Sequence, residues 1–382
     1  MKKRILFVFP SFGIGGTTVS TRNLVSLLGK EGYDCWVMPL SPRGLLAHLY
    51  DGVQRMDSPF VIRALSGNSW KEEPSLIKKF WAAMLRVVCN RFKRVERMWV
   101  GKAFDKLVGQ YHIDTLVACQ EGITSRFVSY ASSGNKIAWV RCDYKRMMED
   151  SGRSRENHYD VFKNIVCVSE QTSQSFKSVF PEHAAKTRCI PNPQDEAIIL
   201  RQADVEENEP RFITEGKLLV SIGRFDAVKR FDQIAPIARR LLDEGMRFRW
   251  YLIGDGAERR HVEQSILDCH VQDNVIMLGA KANPYYYLKR ADALVCLSRS
   301  EACPRVVNEA KILHTPTLST DFPTIYEFIQ NGETGLISSI EAMPSAILRF
   351  YGDEQLRLRL KENISQFSFD NKDLMDSIKE IL

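Results

Sequence analysis

ADALVCLSRSEACPRVVNEAKILHTPTLSTD, residues 291–321, decides the fold. It opens on an apolar run over 291–298, crosses a charged loop, enters an amphipathic stretch behind Pro304 and returns to a β-branched run at 316–320. A short continuous apolar run bounded by turn residues reads as a strand buried on both faces. Two such runs bridged by a helix make one βαβ unit of a parallel sheet. Glu301 falls in the loop after the first strand, and Glu309 follows eight positions later inside the helix. At 1.5 Å per residue these carboxylates are at most about 12 Å apart. Pro304 suits a first helical position, and the backbone N–H groups from Ala302 and Cys303 through Arg305 to Val306 form a helix N-terminus, a ready anion site.

The same alternation extends both ways. Before the centre of the chain, strand-like runs stand at 4–10, 33–40, 113–119, 136–142 and 164–169, with an amphipathic helix over 17–30. Ile190-Pro191-Asn192-Pro193 then interrupts, because two prolines flanking Asn continue neither helix nor strand. After an acidic loop at 204–217 the pattern starts afresh: strands at 217–223, 248–256 and 274–279, with helices over 230–245 and 257–268. The expected class is α/β, two doubly wound parallel-sheet domains over 1–192 and 193–365, with the terminal helix 366–382 rejoining the first. In such sheets ligands bind at the carboxyl ends of the strands.

Composition narrows the function classes. The 382 residues are 44% hydrophobic and 26% charged, which excludes a wholly disordered chain, a fibrous repeat and a multi-span membrane protein. No run approaches the ~20 apolar residues of a membrane span. The apolar run after Met1-Lys2-Lys3-Arg4 is too short for a secretory signal, so a cytoplasmic protein is expected. Nine scattered cysteines with no CxxC pair read as reduced core thiols. Seven dispersed histidines and no Asp-x-Asp in a loop after a strand give no metal site. Residues 1–200 carry 29 Lys and Arg against 19 Asp and Glu, whereas 201–382 carry 24 against 28, so the first half should meet something acidic.

Two further loops carry chemistry. Gly223-Arg224 and Lys229 directly follow the strand at 217–223, and a rigid guanidinium fork beside a point charge suits a diphosphate. Gly13-Ile14-Gly15-Gly16 follows the first strand. It falls short of a dinucleotide fingerprint, because Thr18 stands where the third glycine belongs and Pro39-Leu40-Ser41 offers no acid for a ribose. A nicotinamide oxidoreductase is therefore disfavoured.

Taken together, Glu301-x7-Glu309, Gly223-Arg224…Lys229, Ile253-Gly254-Asp255-Gly256, Val275–Gly279, Ile190–Pro193 and the Gly15-Gly16 loop resemble retaining glycosyltransferase family 4 along essentially the whole chain. The resemblance implies the GT-B architecture, two facing Rossmann-like domains with a cleft between them. It further implies a UDP- or GDP-sugar donor, no other cofactor and no metal. By it Glu301 contacts the donor sugar, Glu309 holds the ribose, and Arg224 and Lys229 bind the diphosphate. Gly223, Gly254 and the 302–305 segment (Ala302, Cys303, Pro304, Arg305) line the donor, Met277 and Leu278 flank the base, and Gly15 and Gly16 approach from the other domain. Two positions depart from the family pattern. The loop reads Glu301-Ala302-Cys303-Pro304 where Glu-Gly-Phe-Pro is common, and Arg141 replaces a histidine on the acceptor side, with Asp143 kept. An Arg accepts no proton.

The expected activity is transfer of a sugar to a glycan or lipid-linked saccharide in cell-surface polysaccharide or glycolipid synthesis. A non-catalytic sugar-nucleotide-binding subunit and a GT-B epimerase or hydrolase stay as alternatives. The stretch 74–108 has helical apolar spacing through Leu76, Phe80, Ala83, Val87, Phe92, Val95 and Trp99, and ten basic residues lie between Lys71 and Lys106 against four acids. It reads either as a solvated helix face or as a contact with an anionic membrane, with Trp81, Phe92 and Trp99 at the interface. No nucleic-acid-binding module is present.

Overall fold

Thirteen strands among the described residues form two parallel sheets. The computed structural model describes residues 2–13, 15–67, 70, 75–152 and 155–382; Ile14 of the glycine loop and Pro74, with Lys71, at the head of the basic stretch lie outside them. The first sheet comprises β1 (Arg4–Ser11), β2 (Asp34–Ser41), β3 (Gln54–Arg55), β4 (Thr115–Ala118), β5 (Asn135–Val140), β6 (Asn164–Cys167) and β7 (Thr187–Cys189), in the order β3-β2-β1-β4-β5-β6-β7. The second comprises β8 (Leu218–Ile222), β9 (Arg249–Ile253), β10 (Val275–Gly279), β11 (Ala293–Cys296), β12 (Thr317–Thr320) and β13 (Gly335–Ser338), in the order β10-β9-β8-β11-β12-β13. Both show the same winding. Each grows outward in one direction for three strands, then crosses back, leaving a switch point between β1 and β4 and another between β8 and β11.

Central strands are continuous apolar runs because helices cover both faces. Ile5 through Phe9, Leu219, Val220 and Leu294 are fully buried. The strands absent from the sequence reading are the outer β3, β7 and β13. Gln54 and Arg55 are exposed, and β13 opens on Gly335, where a Cβ would stand 2.5 Å from the Thr317 carbonyl oxygen. β10 also lies at an edge but keeps an apolar run, whereas these three are short or polar, and there the backbone ladder with the neighbouring strand decides.

The chain divides into two units, Met1–Pro193 with Asn371–Leu382, and Gln194–Asp370. Residues 366–370 belong to the second, where Phe367 and Phe369 pack against its core. The last helix, Lys372–Ile381, begins later than the 366–382 reading placed it and buries Met375, Ile378 and Ile381 in the first unit. None of the nine cysteines is in a disulfide.

The basic stretch forms two helices, Leu76–Arg91 and Lys93–Tyr111, broken at Phe92, where φ is −125°. Here one sequence expectation is corrected. Trp99 does not stand at a surface with Trp81 and Phe92. With Val95 it packs against the first unit's core, while Trp81 and Phe92 are exposed.

Candidate functional site

The strongest cluster of chemistry lies at the switch point of the second sheet. Lys229 comes from the loop after β8 and Glu301 from the loop after β11, neighbouring strands in the sheet. Their side chains form an ion pair, and Ser298 Oγ donates to Glu301 Oε1 at 2.8 Å. Thr320 on β12 fixes Ser298 in turn, its hydroxyl donating to the Ser298 carbonyl at 2.7 Å. The two loops are laced together by Arg299 N–H donating to the Val228 carbonyl at 2.8 Å. Burial opposes the Lys229 ammonium, but Glu301 outweighs it and the pKa of Lys229 is raised. Lys229 is thus a cationic group lining a small cavity with Phe231, Cys296, Ser298 and Val306.

Arg224 points outward. Its guanidinium pairs with Asp226 at 2.9 Å, and the same carboxylate accepts from the Lys229 backbone N–H at 3.1 Å. Asp226 therefore braces both cationic positions of the loop. Arg224 has a side chain 61% exposed and is open to an incoming anion.

The helix behind Glu301 runs Arg305–Ile312. Pro304 sits at its N-cap rather than at the first helical position, and makes no side-chain cap. The first N–H groups of a helix need partners from outside it, so an N-terminus with a proline cap suits an anionic oxygen. Glu309 lies one turn into this helix and is buried. Arg305 pairs with it across that turn, and Tyr285 Oη donates to Glu309 Oε1 at 3.2 Å. Burial and the neighbouring Glu309 push the Tyr285 phenol up, keeping it a neutral donor. Sequence reading missed Tyr285 and named Arg305 only among the residues lining the donor. In the structure its guanidinium engages Glu309, a pairing that the i,i+4 spacing could have signalled.

Two glycines let the loops beside this cluster approach one another. Gly254 has φ +149°, and a Cβ there would stand 1.8 Å from the Gly223 carbonyl oxygen. A Cβ on Gly256 would meet the Phe225 carbonyl oxygen at 2.3 Å. The loops after β8 and β9 approach so closely that only bare backbone fits. Gly254→Ala should lower unfolding stability by more than about 3 kcal/mol, from a left-handed residue driven into backbone. Gly279→Ala, at φ +75° with no atom within 4 Å of the added Cβ, should cost about 1 kcal/mol. Denaturant midpoints of both variants check this; equal losses would mean that close approach is not the cause. Met277 and Leu278 lie on β10, where the Met277 carbonyl accepts from Arg211 at 3.0 Å and Leu278 is buried.

In the first unit, Gly15 is the extended N-cap of the helix Gly16–Lys30, with open space where its Cβ would be. Arg141, just past β5, is held inside that unit. Its Nε donates to the Cys119 carbonyl and a terminal nitrogen to Ser20 Oγ, both at 2.7 Å, and it also bonds Asn192. Asp143 caps the helix Tyr144–Ser151 by accepting from Arg146 N–H, and accepts from the Ser175 hydroxyl. Both residues thus have structural partners. Among the described residues no group of three or more His, Cys, Asp or Glu is gathered as a metal would require, and no helix is long and apolar enough to cross a membrane.

Residues 202–367 match the family described as glycosyl transferases group 1. An uncharacterized glycosyltransferase of Methanocaldococcus jannaschii, MJ1059, is 25% identical over 227 residues, which are 57% of this chain and 56% of that protein. The lipopolysaccharide core biosynthesis glycosyltransferase LpsE of Rhizobium meliloti is 30% identical over 162 residues, 40% of this chain and 46% of that one. The chain spans about half the length of these curated relatives. In structure it is similar to Anabaena HepE solved with UDP, at a TM-score of 0.72 and 16% identity, covering 100% of this chain and 99% of HepE. The likeness establishes the fold, which is GT-B.

Proposed function

From the premise that the chain belongs, through residues 202–367, to the glycosyl transferases group 1, we propose that it transfers a sugar from a UDP- or GDP-sugar to a glycan or lipid-linked saccharide acceptor in polysaccharide or glycolipid synthesis. One observation carries the reading. A cation, a carboxylate and a helix N-terminus without a side-chain cap converge at the switch point between β8 and β11, where doubly wound sheets bind nucleotides.

In this reading the donor diphosphate meets Lys229, Arg224 and the N–H groups opening the Arg305–Ile312 helix. Lys229 then exchanges its pairing with Glu301 for the phosphate, which frees Glu301 to accept from the sugar hydroxyls. Glu309 accepts from the ribose. Charge develops on the departing diphosphate, and fixed cations beside it stabilise that charge more than the ground state. An acceptor hydroxyl attacks from the face the diphosphate leaves, its proton passing to a phosphate oxygen. The configuration at the anomeric carbon is retained, and the protein contributes positioning and electrostatics rather than a strong base. No metal is needed, because Lys229 and Arg224 take the cation's part. The engaged Arg141, which offers no proton acceptor, also favours a second reading in which the chain binds the donor without turning it over.

Calorimetry against UDP- and GDP-sugars, followed by NMR of the product with acceptor saccharides in EDTA, tests the proposal. One donor should bind and its sugar should appear in the product with unchanged anomeric configuration. Binding without turnover supports the second reading. Binding of no nucleotide sugar overturns both, and an obligatory divalent ion overturns the metal-independent step.

A further inference from the structure

The helix Leu76–Arg91 has its amphipathic pattern inverted. Its protein-facing side is narrow, with Ala82 and Cys89 buried and Arg86 donating to the Ala64 and Gly67 carbonyls at 3.1 and 2.7 Å. The opposite side, which an ordinary surface helix fills with charge, carries large apolar side chains. Leu76 is 81% exposed, Ile77 71%, Phe80 62% and Val87 71%, with Trp81 and Met84 beside them. Phe92, just past the last turn, is also exposed. Spaced at three and four residues, these form one ridge along the helix. A contiguous apolar ridge left to water marks a contact.

We propose that this ridge lies in the headgroup–acyl boundary of an anionic lipid bilayer, with the helix parallel to the membrane plane. Charge complementarity selects this occupant. Besides the protein-facing Arg86 the helix carries Lys78, Lys79 and Arg91 and no acid, and Lys93 and Arg94 follow directly. The next acid, Glu96, is buried and paired with Lys93 and Arg126. A second copy packed ridge to ridge would bring these cations against their own equivalents with no carboxylate on the helix to neutralise them. Anionic headgroups neutralise them while the acyl region takes the ridge, and long basic side chains reach from an apolar surface to phosphates. Sixteen residues at 1.5 Å each give about 24 Å, and no described helix is long and apolar enough to span. An interfacial helix fits both facts. The inference does not depend on the donor chemistry, which lies in the other unit.

The test is sedimentation of the full chain with vesicles of phosphatidylglycerol and phosphatidylcholine, or of phosphatidylcholine alone. Wild type should pellet with the anionic vesicles and much less with neutral ones. Ile77→Glu/Phe80→Glu/Val87→Glu should lower the partition coefficient roughly tenfold or more, since each side chain leaves an apolar layer. Lys78→Glu/Lys79→Glu/Arg91→Glu should abolish the preference for anionic lipid. Nucleotide binding and melting temperature should stay as in wild type, because the altered side chains are exposed, or in Lys79 half-buried. Trp81 fluorescence should be quenched by brominated acyl chains, and the quenching lost in Trp81→Phe. Equal, negligible pelleting of wild type and variants would overturn the proposal. So would a lipid-free dimer, seen by ultracentrifugation, that the Phe80→Glu set dissociates.

Discussion

Lys229→Ala is expected to lower turnover more than ~100-fold, ~2.7 kcal/mol or more of transition-state stabilisation. Two effects add. The first is loss of the Lys229 cation that lines the switch-point cavity, with its charge secured by Glu301. The second is what remains: Glu301, with only 13% of its side chain exposed, loses its ion-pair partner beside the proposed diphosphate position. An unpaired carboxylate there repels the leaving group, so the loss should appear in kcat as well as KM. Arg224→Ala should act in the same direction, since its guanidinium is open to solvent and braced by Asp226. Steady-state kinetics on variants shown by melting to be folded decide it. A loss under tenfold for Lys229→Ala would remove the diphosphate from its proposed place.

Much of this site was legible because it sits where the chain is most regular. The runs that became β8, β9, β10 and β11 are mostly apolar, broken only by Ser221 and Arg249, so their ends, and with them Gly223, Gly254 and Glu301, could be placed within a residue or two. Glu309 was placed on its helix by the same logic. What was not legible is pairing. Nothing in the spacing of Lys229 and Glu301, 72 positions apart, says that they meet. That contact follows from sheet order, which places β8 beside β11 across the crossover. Tyr285 is hidden for the same reason, reaching Glu309 from a helix preceding β11. The Leu76–Arg91 helix shows the complementary limit. Its apolar period was plain, yet a period gives the width of a face and not the direction it points. Leu76, Phe80 and Val87 point out, and Trp99 on the next helix points in.

Glu309→Ala should have two separable consequences. Arg305 and Glu309 form a close pair with side chains only 13% and 7% exposed, and removing one partner of a buried pair typically destabilises by about 3–5 kcal/mol, because the other charge is left uncompensated. The ribose contact should vanish too, weakening free UDP or GDP by about 1–3 kcal/mol. A single variant confounds the two. Replacing both residues, Arg305→Met with Glu309→Met, removes the uncompensated charge, and such exchanges are often neutral or stabilising. Its melting temperature should therefore return toward wild type while nucleotide affinity stays as low as in Glu309→Ala. Glu301→Ala, by contrast, should spare free nucleotide and weaken only the sugar-bearing donor. Calorimetry with UDP or GDP and with the corresponding sugar nucleotide, on all three variants, separates these roles. If the double methionine variant binds nucleotide as wild type does, Glu309 is a partner for Arg305 and Tyr285 alone, and the ribose must be held by another group at the ends of the second sheet.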